Sequence, residues 1–182
     1  NLNLNIDELA AIGLTLGADV PVFVRGQNSF AEGVGELLQP INLPNQWFSV
    51  IKPASDVSTA TIFAHPQLTR DSLPIRIAAF FETQPNSPPN SSEGQQNLRN
   101  DCLDVVLDSY PEVADAFHWL KQFGVPKLTG TGSCLFLAFD TQSEAEEVIK
   151  QLPPSMKGFA AKSSDYSTAY KALGLQLEAV SK

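Results

Sequence analysis

Cysteine, histidine and methionine are scarce in this 182-residue chain, with two, two and one copies. Cys102 and Cys134 have no CxxC spacing, and His65 and His118 lie far apart. Neither a zinc site nor a disulfide framework is indicated, and reduced thiols in a cytoplasmic protein are the expectation. No uncharged apolar run approaches the roughly 18 residues of a membrane span, and no basic-then-apolar leader opens the chain. Positive charge is also short: 12 Lys and Arg face 20 Asp and Glu, for a net charge of −8. No more than two basic residues are adjacent anywhere, so neither nucleic acid nor membrane is expected as a partner.

What is present suits a folded domain. Hydrophobic residues make up 43% and charged residues 18%, enough to bury a real core. Low complexity is confined to Glu82–Asn97 (ETQPNSPPNSSEGQQN), which reads as a loop. No repeat of 20–50 residues is visible. The chain begins with Asn1, and its one methionine is Met156. The expectation is a piece of a longer protein.

Along the chain, Asn5–Gly13 predicts a short helix capped by Asn5 with Glu8, with Ile6, Leu9 and Ala10 on one face. Val22-Phe23-Val24 reads as a strand entered through Pro21. Ser29–Gly33 and Leu37–Ile41 predict a strand pair around Gly33-Val34-Gly35. PINLPN, with Pro40 and Pro44, is the candidate junction, giving domains 1–42 and 43–182. Beyond it the pattern predicts a strand at Trp47–Ile51 and a short helix at Ser58–Ala64. Helices follow at Leu98–Leu107 and from Pro111, burying Val113, Phe117 and Leu120. A strand at CLFLAF precedes a helix capped by Thr141 and Glu144, a last strand at Gly158–Lys162 and a tail helix at Thr168–Leu177. This order implies an α+β fold, with helices on one face of a mainly antiparallel sheet.

Three places are candidates for chemistry. The turn LTGTGSC (Leu128–Cys134) lets backbone N–H groups approach an anion, but its spacing is neither a Walker loop nor a dinucleotide fingerprint. A structural turn and a ligand-facing one both remain open. Asp19 lies among apolar and small residues, as a turn or cap acid or as a group kept for chemistry. Phe63, an aromatic on a short helix, is usually core.

LGADVPVFVRG (Leu16–Gly26), FAEGVGE (Phe30–Glu36) and LTGTGSCLF (Leu128–Phe136) together resemble the GHMP small-molecule kinases, in order and over almost the whole chain. The resemblance implies the end of an N-terminal lobe (1–42) and a ferredoxin-like C-terminal α/β sandwich domain (43–182). It implies phosphoryl transfer from ATP, with Mg²⁺ arriving on the nucleotide, to an alcohol linked to cytidine diphosphate in the non-mevalonate isoprenoid route. Asp19 falls on the catalytic aspartate, Phe63 on the aromatic that stacks on cytosine, and Thr59 beside the bound substrate. Gly130-Thr131-Gly132 falls on the third glycine-rich motif, and no residue falls on a metal ligand. The family's loop of the form PxxxGLGGGSS, and the early lysine that partners the aspartate, have no counterpart in this sequence. Two other readings are another GHMP kinase, such as a homoserine or mevalonate kinase, and a non-enzymatic ferredoxin-like binding module.

Overall fold

In the computed structural model, the described residues are 4–73 and 99–172. The predicted loop at Glu82–Asn97, Leu98 and the end of the predicted tail helix lie outside them. The chain divides into two compact units, Asn1–Asn45 with Ser164–Lys182, and Gln46–Ser163. The predicted domain 43–182 therefore does not coincide with one unit. Its tail belongs with the first: Tyr166 bridges Gln27, and Ser167 N–H donates to the Gly26 carbonyl at 2.7 Å.

The first unit opens with α1 (Ile6–Leu16), and its predicted capping box is complete. Asn5 Oδ1 accepts the Glu8 N–H at 2.9 Å, and Glu8 Oε2 accepts the Asn5 N–H at 2.8 Å. The helix runs one turn past the predicted end at Gly13, because that glycine is a packing position. A methyl there would approach Val20 Cγ1 to 2.8 Å. Ile6 and Leu9 of the apolar stripe are exposed, along with Ile12 and Leu16.

The predicted strand at Val22–Val24 is instead part of α2 (Val20–Arg25). Pro21 sits in the first turn, where its missing N–H has no partner to lose. Gly26 ends the helix in the left-handed conformation, at φ 67°. These two signals outweigh the strand preference of two valines and a phenylalanine. Arg25 reaches back to Asp7 at 2.8 Å and ties α2 to α1. The hairpin of β1 (Ser29–Glu32) and β2 (Leu37–Pro40) pairs antiparallel as expected, with Phe30 opposite Gln39.

The second unit holds the core. Its elements in chain order are β3 (Trp47–Lys52), α3 (Thr59–Ala64), α4 (Leu103–Ser109), α5 (Pro111–Leu120), β4 (Lys127–Leu128), β5 (Leu135–Phe139), α6 (Gln142–Lys150) and β6 (Lys157–Lys162). The sheet order is β4-β5-β3-β6, antiparallel throughout. Ser49 lies opposite Leu137 and Ile51 opposite Leu135, and all four are buried. With Val105, Val106, Val113, Phe117, Leu120 and Val148 the three apolar residues build one core between sheet and helices. The buried Ser49 hydroxyl spends its proton on the Ala145 carbonyl of α6, at 2.7 Å.

The helix predicted over Leu98–Leu107 starts later, at Leu103, and Asn100 explains the shift. Its Oδ1 accepts the Cys102 N–H at 2.9 Å, closing a side-chain turn ahead of the helix. A final short helix, α7 (Thr168–Ala172), belongs to the first unit.

Candidate functional site

The candidate residues fall into one group in each unit. In the first unit, Asp19 is the residue before α2, and its side chain makes no capping hydrogen bond. Its backbone is helical already, at φ −84° and ψ −10°, so the carboxylate is not aimed at the helix N–H groups. The residue is exposed.

The FAEGVGE hairpin turn meets the LGADVP turn next to this residue. Gly35 has φ 114°, and a methyl on it would come within 2.9 Å of the Ala18 carbonyl oxygen. Glu36 secures the same turn by accepting the Val34 N–H at 2.7 Å. Two segments that stand apart in sequence thus meet at Ala18, the neighbour of Asp19.

In the second unit, the glycine turn joins β4 to β5. Gly130 (φ 49°) and Gly132 (φ 87°) both need left-handed backbone. They differ in surroundings: a methyl on Gly132 would crowd Leu128 at 3.0 Å, whereas nothing lies within 4 Å of one on Gly130. Gly132 is a packing glycine, and Gly130 leaves open space beside the backbone. Between them, the Thr131 hydroxyl meets the Thr59 hydroxyl at 2.9 Å. That bond brings the glycine turn against the first residue of α3.

α3 starts at a serine cap, where Ser58 Oγ accepts the Thr61 N–H at 3.3 Å. Its two apolar residues then part company. Ile62 is 0% exposed and anchors the helix in the core, while Phe63, next to it, is 58% exposed. The expectation that such an aromatic is core is overturned. Phe63 lines a cleft of about 470 Å³ with Leu68, Thr69, Arg70, Ser72, Asp101 and Cys102. The Cys102 thiol is held above its ordinary range by burial, with the Asp101 charge adding to it.

Asn100 was not singled out by sequence reasoning. Its amide nitrogen donates to the carbonyls of Leu128 at 3.0 Å and Gly130 at 2.7 Å. One side chain therefore pins the glycine turn while its oxygen starts α4. The partners are 28 and 30 residues away, so local pattern carries no trace of the contact. Arg70 was missed as well, although its setting is local.

Residues 90–157 match the family profile described as GHMP kinases C terminal. The chain is similar to proteins named 4-diphosphocytidyl-2-C-methyl-D-erythritol kinase. It is 48% identical over 172 residues to those of Pseudomonas putida (strain W619) and Marinobacter nauticus, covering 94% of this chain and 56% of each relative. The protein of that name from Hahella chejuensis is 46% identical over 167 residues, 92% of this chain and 53% of the relative. The chain thus spans about half the length of these curated relatives. Its fold matches the crystal structure of 4-(cytidine 5'-diphospho)-2C-methyl-D-erythritol kinase with a TM-score of 0.63 at 24% identity, over 88% of this chain and 57% of that one.

Proposed function

We propose that this chain is part of a kinase that transfers the γ-phosphate of ATP to the 2-hydroxyl of 4-diphosphocytidyl-2-C-methyl-D-erythritol, in the cytoplasmic, non-mevalonate synthesis of isoprenoid precursors. The observation that carries the reading is the Thr59–Thr131 contact. It joins the glycine turn to a helix whose one aromatic, Phe63, is exposed. A flat ring beside a cleft is suited to hold a nucleobase without charge. In this reading Phe63 stacks on cytosine, and Thr59 lies beside the bound substrate. Gly130, Thr131 and Gly132 form the third motif, with the open side of Gly130 available to a close-lying ligand.

Asp19 supplies the acid–base chemistry. An alcohol attacks a γ-phosphate poorly unless a positioned base takes up its proton. A carboxylate that is exposed and not committed to a helix cap has its lone pairs free for that task. ATP supplies the phosphoryl group and Mg²⁺ neutralises its charge. Among the described residues no three His, Cys, Asp or Glu gather as metal ligands, and no helix is long and apolar enough to cross a membrane. In this reading Mg²⁺ would arrive with the nucleotide. The first unit, with Ile6, Leu9, Ile12 and Leu16 exposed along α1, is read as the end of the family's N-terminal lobe.

Titration of the chain with cytidine 5'-diphosphate tests the substrate side. Phe63→Ala is expected to weaken binding by about 1–3 kcal/mol, the usual worth of stacking on a base, with an unchanged melting temperature. Unchanged affinity, or an unfolded variant, would return Phe63 to a structural role.

A further inference from the structure

Among the described residues, Arg70 is the one side chain that donates to the carbonyls at the end of α3. The last carbonyls of a helix have no partner within it, and here the following sequence removes the usual substitutes. Pro66 has no N–H to give. The Gln67 N–H is taken by His65 Nδ1 at 3.3 Å, and the Leu68 N–H by the His65 carbonyl at 3.2 Å. Among the described residues no backbone N–H reaches the Phe63 carbonyl. Arg70 Nη2 fills the gap at 2.6 Å and also reaches the His65 carbonyl at 3.1 Å, while Nη1 donates to the Leu68 carbonyl at 3.0 Å. A planar guanidinium presents several donors in a fixed fork, so one group can hold three carbonyls at once.

This fork is unusual in its spending. Arg70 is exposed and makes no ion pair within 4.0 Å among the described residues. Its guanidinium is committed to the turn that carries Phe63, and both residues line the same cleft. We infer that Arg70 is a positioning residue for the nucleobase subsite: it fixes the backbone under Phe63 so that the exposed ring is presented in one orientation. Ring preorganisation lowers the ordering cost of binding a base. The inference rests on the cytidine-site reading proposed above.

The test uses the full 182-residue chain, titrated calorimetrically with cytidine and with cytidine 5'-diphosphate. Arg70→Ala is expected to weaken both ligands to the same extent, by about 3- to 10-fold, within the range for contacting residues. On a Phe63→Ala background the same substitution is expected to add nothing, because Arg70 acts through the ring. Arg70→Lys, which keeps the charge and the stem but not the fork, is expected to fall between wild type and Arg70→Ala. It also decides the matter if Arg70→Ala does not fold. A loss confined to cytidine 5'-diphosphate would mean direct contact with phosphate and overturn the inference. Additive losses, or full affinity in both Arg70 variants, would overturn it too. If the unaltered chain binds neither ligand, the cytidine-site reading falls and takes this inference with it. Binding that ignores Arg70 leaves that reading standing.

Discussion

At Asp19 backbone and side chain serve different ends. The backbone starts α2 and leads into Pro21, while the carboxylate makes no cap bond and stays at the surface. If its task is to accept a proton, the amide of asparagine preserves the shape and removes the function. The clean setting is a chimera that joins this chain to the part of the Pseudomonas putida relative it does not span. There Asp19→Asn is expected to lower kcat by about a hundredfold or more while KM stays within a factor of about two. Steady-state kinetics check it, and near-wild-type kcat would remove Asp19 from the chemistry. Sequence alone left this residue between a turn or cap acid and a group kept for chemistry; the structure places it in the turn before α2 with no side-chain cap bond. Phe63 was legible as an aromatic on a short helix but not as an exposed one. Which of two adjacent apolar residues faces the core depends on where α3 docks, and only Ile62 fits inward.

At the scale of elements, capping and turn chemistry were the most legible features. Asn5 with Glu8 and Thr141 with Glu144 both form the boxes their spacing implies. The miss at Val22–Val24 has a plain physical cause. β-branched residues raise strand preference only weakly, whereas Pro in a first turn and Gly at a left-handed C-cap are backbone constraints. Asn100 and its glycine turn were illegible for a different reason, since the contact is made across some thirty residues of chain. Glycines in these turns are not equivalent, and this gives a comparison. Gly35→Ala places a methyl against the Ala18 carbonyl oxygen at a positive φ, whereas Gly130→Ala adds one into open space. The first is expected to cost about 1–3 kcal/mol and the second about 1 kcal/mol. Denaturant unfolding of the two variants checks the order, and equal losses would show that the hairpin turn does not rest on the Ala18 segment.

For the molecule as a whole, burial is uneven. Among the described residues, Ala10 is the only buried hydrophobic core residue of the first unit, while Ile51, Ile62, Val106, Val113, Leu120 and Leu135 give the second a continuous core. The short apolar runs at Trp47–Ile51 and CLFLAF made these two strands legible from sequence. The compact units were harder to read, because Ser164 onwards returns to the first through contacts with Gly26, Gln27 and Asn28. A return of this kind leaves no periodic signal. The motifs that carry the functional reading are divided between the units, Asp19 in one and Phe63 with the glycine turn in the other. Phosphoryl transfer needs acceptor, base and donor together. The measurement that addresses the account most directly is therefore the reaction itself. The chimera is incubated with ATP, Mg²⁺ and 4-diphosphocytidyl-2-C-methyl-D-erythritol, and phosphorus NMR follows the γ-phosphate. The account predicts one new phosphomonoester on the 2-hydroxyl for each ADP formed, with Asp19→Asn nearly silent. ADP release without phosphorylated substrate, or transfer that persists in the Asp19→Asn chimera, would contradict it.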